Sequence, residues 1–144
     1  MTHRGFTLLE LLVTLAIVAI LAALAWPGYG AIIQRAQRND ARLALLSIQH
    51  AEEVHYQRFN AYTEALTQPA ASGGLGLADR SSNGSYALTV STSDDGQHYS
   101  AMARIQHRGR QAADRSCASF LIDEKGQRAA TDAGGTDTSE ACWR

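Results

Sequence analysis

Two cysteines, Cys117 and Cys142, are the first residues of this chain whose chemistry can be considered. They do not form a Cys-x-x-Cys pair, and two thiols alone make a tetrahedral zinc site improbable in any spacing. In an oxidising compartment they would form one disulfide, closing a loop of about 26 residues worth ~3–4 kcal/mol. In a reducing compartment they would remain two unrelated thiols.

A second candidate is a basic run at residues 106–115 with the sequence QHRGRQAADR, together with Arg104 just before it. Such a run, on an exposed loop, could bind the phosphates of a nucleic acid. No aromatic residue is interleaved to stack on bases, so the preferred interpretation is a solvated loop or a subunit contact. DNA binding is retained as the alternative, and its candidate residues are Arg104, Arg108, Arg110 and Arg115.

Histidines and glutamates cluster around residue 52, where a metal or catalytic site could be proposed. His50 and His55 are five positions apart, which places them on different faces of a helix. The sequence also contains no P-loop, no Gly-x-Ser-x-Gly and no His-Glu-x-x-His motif. We therefore predict no metal site, no cofactor and no enzymatic activity.

Length and charge limit the number of domains and the classes of binding partner that this chain can have. With 144 residues the chain predicts one modest domain, and its 13 basic and 14 acidic side chains argue against a polyanion-binding surface over the whole protein. The apolar residues are concentrated near the N-terminus.

Residues 6–26 form an apolar run that contains one charged residue, Glu10. A helix of this length, about 31 Å, can cross the hydrocarbon of a bilayer. Its aliphatic side chains favour insertion by roughly 4–7 kcal/mol, against ~3 kcal/mol for one carboxylate at the centre of the membrane. Basic residues occur on both sides of the run, so loop charge leaves the orientation ambiguous. A small residue, Gly5, precedes the run.

The stretch Gly5-Phe6-Thr7-Leu8-Leu9-Glu10, followed by the apolar run and Pro27, resembles the class III signal of type IV pilins and pseudopilins. The resemblance implies that a prepilin peptidase cuts between Gly5 and Phe6 and N-methylates Phe6, and that the chain beyond the membrane is periplasmic. It also implies that Glu10 pairs with the Phe6 amine of a neighbouring subunit. The alternative for Glu10 is that it simply reaches the membrane interface.

Pro27, with Gly28 and Gly30, predicts a kink or a melted turn after the apolar run. Beyond it, an amphipathic helix is expected from Ala31 to about Phe59, and the face expected to pack on the head carries Ala41, Ala44, Leu45, Ile48, Ala51 and His55. A loop from Gln68 to Ser85 then leads to three or four antiparallel strands. The predicted fold class is α+β, with a long N-terminal helix packed against a small antiparallel sheet.

The expected organisation is a leader at 1–5, a transmembrane and assembly helix at 6–30, and a periplasmic head at 31–144. The Cys-Trp pair near residue 143 is most similar to minor pilins, so we predict a minor pilin that primes or joins the filament. Major pilin, DNA-binding competence pilin and type II secretion pseudopilin are the alternatives. The resemblance implies as partners the prepilin peptidase, other pilins, the inner-membrane assembly machinery and the membrane. It implies a precursor in the inner membrane of a Gram-negative-type bacterium and then an extracellular filament.

Overall fold

The computed structural model describes residues 7–106 and 114–144, without the side chains of residues 24–29. Two compact units are present, Met1–Ile33 and Gln34–Arg144. In chain order the described helices and strands are α1 (Leu8–Phe59), β1 (Tyr86–Thr92), β2 (Tyr99–Ile105), β3 (Ser119–Asp123), β4 (Arg128–Thr131) and α2 (Ser139–Trp143), and a 3-10 turn at Ala70–Ser72 lies between α1 and β1.

In the first unit, the described part of α1 carries aliphatic side chains on all sides. They are exposed in the single chain, from Leu8 at 80% to Val13 at 51%. Within the described residues, no helix is both long enough and apolar enough to cross a membrane. The predicted span at 6–30 also includes Phe6 and the side chains of 24–29, which lie outside the described residues, and it stays a prediction.

Pro27 lies inside α1, and the helix continues through it. The melted turn that the sequence suggested is therefore not present in this single chain. An interior proline removes one backbone hydrogen bond and crowds the carbonyl four residues earlier, which ordinarily kinks or breaks a helix, yet α1 runs on to Phe59. A kink at Pro27, and a loss of helix on assembly, remain predictions.

The second unit contains a four-stranded antiparallel sheet in the order β1-β2-β3-β4. Alternate residues of each strand point inward, as the period of two predicts: Tyr86, Leu88 and Val90 in β1 are buried, and so are Tyr99, Ala101 and Ala103 in β2. The predicted α+β class, with three or four strands, is confirmed.

One face of α1 covers the inner side of this sheet. Ala41, Leu45 and Ile48 are fully buried in a core shared with Tyr86 and Phe120. Ala44 and Ala51 are half-buried against the same core. The three- and four-residue spacing of these small and aliphatic residues identified the packed face correctly, because that spacing returns to one side of a helix.

Both edges of the sheet are occupied by other parts of the chain. Along β1, the Leu88 amide donates to the Asp79 carbonyl at 2.8 Å. Along β4, the Thr138 amide donates to the Ala130 carbonyl at 2.9 Å, and the Ala130 amide donates to the Ser139 hydroxyl at 2.9 Å. The backbone groups of the outer strands are thereby partly satisfied within the chain.

Cys117 and Cys142 form the predicted disulfide, with both residues buried. The bond fastens α2 beside the start of β3. Trp143 adds a second attachment, because its indole N–H donates to the Ala129 carbonyl at 2.9 Å and its ring meets Phe120 edge-on at 5.7 Å. The predicted role of the disulfide in holding the C-terminal segment agrees with these contacts.

Glu52 breaks the apolar pattern of the α1 face. It is fully buried, and its Oε2 accepts the Thr63 amide at 3.2 Å. Among the described residues its Oε1 has no hydrogen-bond partner, and neither has the buried hydroxyl of Tyr99. Burial raises the pKa of Glu52 to about 7, although the Thr63 amide and the nearby His55 lower it. Glu52 is therefore protonated for much of the range below neutral pH.

Replacing Glu52 by glutamine should remove a pH dependence of stability. The folded-state pKa lies above the ordinary 4.5, so the stabilisation is complete below about pH 4.5 and is lost as the pH rises through about 7. For the wild type we expect the free energy of unfolding to fall by roughly 3 kcal/mol over this window. In E52Q the Glu52 contribution should be lost, so the fall should be smaller than in the wild type by roughly 3 kcal/mol, as measured by chemical denaturation at several pH values.

A matched control is E53Q, which alters the adjacent carboxylate, a partner of the Tyr62 hydroxyl at 3.2 Å. It should keep the wild-type pH dependence. If the free energy of unfolding of E52Q fell with pH as steeply as that of the wild type, another group would be responsible for the pH dependence.

Candidate functional site

A groove of about 360 Å³ lies where β2 ends, β3 begins and β4 ends. We call it the basic groove, and it is lined by Arg104, Ile105, Asp114, Arg115, Ala118, Ser119, Thr131, Asp132, Ala133 and Gly135. Gln106 and Asp114, the residues on either side of the undescribed 107–113, belong to this end of the sheet. Residues from both sides of the undescribed segment therefore line this groove.

The sheet presents Arg104 to solvent. Its neighbours in β2, Ala103 and Ala101, point into the core, and the period of two turns Arg104 to the outer face. Across the strands, Arg104 is paired with Ser119, and Ser119 with Thr131. The Ser119 and Thr131 hydroxyls lie 2.6 Å apart. A guanidinium and two hydroxyls therefore stand in one row across the sheet.

Asp114 fixes the point at which the chain re-enters the fold after the basic run. Its carboxylate forms a two-pronged ion pair with Arg38 of α1, at 2.6 and 2.8 Å. It also accepts the amides of Ser116 at 3.2 Å and Cys117 at 3.4 Å. Burial alone would raise the pKa of Asp114, but Arg38 and these amides hold it below its ordinary value. The carboxylate is therefore charged, and Arg38 compensates it.

Arg115, the next residue, is exposed at the rim of the basic groove. Its carbonyl accepts the Ala133 amide at 2.9 Å, which joins it to the turn that forms the opposite wall. The Arg115 backbone is held on one side by Asp114, which pairs with Arg38, and on the other by the Ala133 amide. Its side chain can therefore reach a ligand from a fixed position.

The described charges of the groove are mixed. Arg104 and Arg115 are basic, the Arg38–Asp114 pair is compensated, and Asp132 is acidic. The pKa of Asp132 is lowered chiefly by the Thr136 amide, with help from Gly134, so its charge persists at neutral pH. The Thr136 and Gly134 amides donate to its Oδ1 at 2.9 and 2.8 Å, so the backbone of the turn partly offsets the negative charge. Arg104 and Arg115 outnumber the one uncompensated acid.

The structure brings together two of the four arginines that the sequence singled out for a DNA contact. Arg104 and Arg115 line one groove, whereas Arg108 and Arg110 lie outside the described residues. The sequence did not reveal the Arg38–Asp114 pair, whose members are 76 positions apart. The pattern Asp-x-Ser-Cys did carry a signal, because aspartate often accepts the amide two residues on.

The residues predicted for processing and assembly belong to the N-terminal part of the chain. Glu10 is exposed in the first turn of α1, and its amide donates to the Thr7 hydroxyl at 3.3 Å. A carboxylate in the first turn complements the helix dipole. Gly5 and Phe6 lie outside the described residues, as does the side chain of Pro27. Their processing and assembly roles stay predictions.

Comparison with known proteins gives two family matches. Residues 27–121 match the family described as type IV minor pilin ComP, DNA uptake sequence receptor. Residues 1–26 match the prokaryotic N-terminal methylation motif. The first match spans the part of α1 from Pro27 onward, β1, β2 and the start of β3, and so includes Arg104, Arg115 and Asp114.

Individual relatives are also pilins or fimbrial proteins. The chain is 32% identical to the fimbrial protein EcpC of Eikenella corrodens over 74% of its own length and 65% of the relative's. It is 38% identical to the type IV major pilin protein PilE1 of Neisseria gonorrhoeae over 45% of this chain and 39% of that one. The chain thus spans less than two thirds of the length of these curated relatives.

A solved structure, the high-resolution structure of a type IV pilin from Shewanella oneidensis, aligns with 66% of this chain and 89% of that one. The TM-score is 0.46 and the sequence identity 24%. The family match alone covers well over half of the chain. The chain belongs to the type IV minor pilin ComP family.

Proposed function

We propose that this chain is a minor subunit of a type IV pilus that binds DNA at the basic groove. The observation that carries the proposal is the convergence of Arg104 and Arg115 on one exposed groove inside the region that matches a DNA uptake sequence receptor family. From the sequence alone, a DNA contact was the less favoured interpretation of this run. The family match makes it the preferred one.

The groove has the chemistry that a phosphate backbone requires. Arginine binds a phosphate through two parallel N–H groups, and the hydroxyls of Ser119 and Thr131 can donate to further oxygens. The Arg38–Asp114 pair anchors the base of the groove without adding net charge. Arg108 and Arg110, which lie between Arg104 and Arg115 in the sequence, carry two further positive charges. Affinity from such contacts should fall steeply with salt.

Neutralising both described arginines should weaken DNA binding. For R104Q/R115Q we expect the affinity of the full chain for a short DNA duplex to fall by about tenfold or more at low salt. The slope of log affinity against log salt should fall by about 2, because two phosphate contacts are lost. Fluorescence anisotropy at several salt concentrations measures both quantities.

The control is R58Q, which removes an exposed arginine near the end of α1, far along the chain from the basic groove. It changes net charge in the same direction and should leave affinity and slope nearly unchanged. Equal losses in R58Q and in the double variant would reduce the effect to net charge. Unchanged binding in R104Q/R115Q would remove the groove from the proposal.

The filament role rests on the N-terminal motif at residues 1–26. We propose that the peptidase cuts between Gly5 and Phe6, that Phe6 is methylated, and that α1 then enters the filament. The exposed apolar surface of the described helix, from Leu8 to Leu21, supports this, since water is an unfavourable environment for it. Before assembly, the same surface would be held in the inner membrane with the head in the periplasm.

Substituting a bulky residue for Gly5 should block processing. A peptidase that cuts after glycine has no room for a large side chain, so in G5L we expect an uncut precursor in the membrane fraction. Intact-mass spectrometry distinguishes it from a mature chain beginning at methylated Phe6. The control T2L, also in the leader, should be cut normally, and normal cutting of G5L would refute the assignment of the signal.

Removing the Glu10 carboxylate should prevent assembly without preventing insertion. In E10A the apolar run becomes more hydrophobic, but the partner for a neighbour's Phe6 amine is lost. We expect normal membrane levels and strongly reduced levels in sheared filaments, measured by immunoblotting. T14A is the control, because the Thr14 hydroxyl bonds only to Leu11 of its own helix among the described residues. Normal incorporation of E10A would exclude the pairing role.

A further inference from the structure

The imidazole of His55 lies between two backbone carbonyls. Its Nδ1 is 2.8 Å from the Ala61 oxygen, just beyond the end of α1, and its Nε2 is 3.1 Å from the Gly73 oxygen. The two carbonyls belong to different segments of the long connection between α1 and β1. His55 therefore links the helix to a part of this loop 18 positions away.

Two carbonyl oxygens can only accept hydrogen bonds, so both ring nitrogens must donate to satisfy this geometry. A neutral imidazole donates from one nitrogen and carries a lone pair on the other. Only the imidazolium donates from both. Neutral His55 would point a lone pair at a carbonyl oxygen about 3 Å away, which is repulsive.

The loop that receives Nε2, residues 68–76, is called here the Gly73 loop. Beyond Gly73 it is fastened by the Leu75 amide, which donates to Ala65 at 3.0 Å, and by the buried Leu75 side chain. Before Gly73 it forms the exposed 3-10 turn Ala70–Ser72. His55 is thus the side chain that ties the tip of this loop to α1.

The titratable and aromatic groups described around His55 come from α1. Glu52, one helical turn earlier, interacts with it electrostatically, and the Phe59 ring lies 4.5 Å from the imidazole. A groove of about 200 Å³ borders the site, and its titratable residues besides His55 are His50 and Arg58 of the same helix. The described lining residues from the loop are Ala70, Gly74 and Leu75, which carry no charge, and none comes from the sheet.

We propose that His55 is a pH-sensitive latch, which holds the Gly73 loop against α1 when protonated and releases its tip when neutral. Histidine is the side chain whose charge ordinarily changes between pH 5 and 8. The latched geometry needs a proton on both ring nitrogens, so low pH favours it and one of the two hydrogen bonds is lost when the ring becomes neutral. Release opens the bordering groove, whose wall includes Ala70 and Gly74.

Amide hydrogen exchange of the full chain in detergent micelles tests the latch. The amides of Gly73 and Gly74 bond to Ala70 and Pro69 within the loop. After correction for intrinsic exchange, we expect their protection to fall by about tenfold or more, relative to the amides of β2, between about pH 5.5 and about pH 8. Equal protection at both values would overturn the proposal.

Two variants separate His55 from the other histidine of the groove. H55Q should show the same loop protection at both pH values, whereas H50Q should keep the wild-type change, since His50 is exposed. A pH response that persists in H55Q would refute the latch.

If H55Q does not fold, the ring nitrogen signals of His55 in the wild type decide the question. The proposal requires two protonated ring nitrogens at low pH and one at high pH. The midpoint of this change must coincide with the midpoint of the change in amide protection of the Gly73 loop. A midpoint that differs would assign the loop response to another group.

Discussion

The packing of one helix face against one side of a four-stranded sheet is the constraint on which the second unit depends. Ala41, Leu45 and Ile48 fill the space above Tyr86 and Phe120, and their burial sets where every other face of α1 can point. Arg38 lies one turn before Ala41, and Glu52 lies one turn after Ile48 on the same buried side of the helix. The part of α1 around Arg38 therefore pairs with Asp114 beside the basic groove. The part around Glu52 lies near Tyr99 and, through His55, contacts the Gly73 loop.

Much of this arrangement could be predicted from the sequence, since periodicity reports burial directly. Alternation in SYALTVS and in the strand from Tyr99 gave the sheet, and the three- and four-residue spacing from Ala41 gave the packed face. The disulfide followed from the number of cysteines together with the oxidising compartment that the family resemblance implied. Glu52 did not follow, because a glutamate within a helix usually points to solvent and nothing local marks it as buried.

The site was predicted less completely than the fold, for a physical reason. A run of arginines identifies charge, but its geometry depends on contacts that are distant in sequence. Arg104 and Arg115 share a groove because β2 and β3 are adjacent and because Asp114 is held by Arg38. The turn at Asp132, on the opposite wall, comes from the segment closed by Cys117 and Cys142. That segment was predicted only as a tethered tail.

The occupied edges of the sheet limit how copies of this chain can join. An open edge strand is a template on which a second chain adds a strand, by exchange or by growth of a cross-β fibril. Here Asp79 bonds to β1, while Thr138 and Ser139 bond to β4, at 2.8–2.9 Å. Crowded copies of the head therefore have less free backbone at these edges to which a further strand could add. In the proposed filament, contacts between copies would then fall to side-chain surfaces, which can be broken and remade without unfolding a subunit.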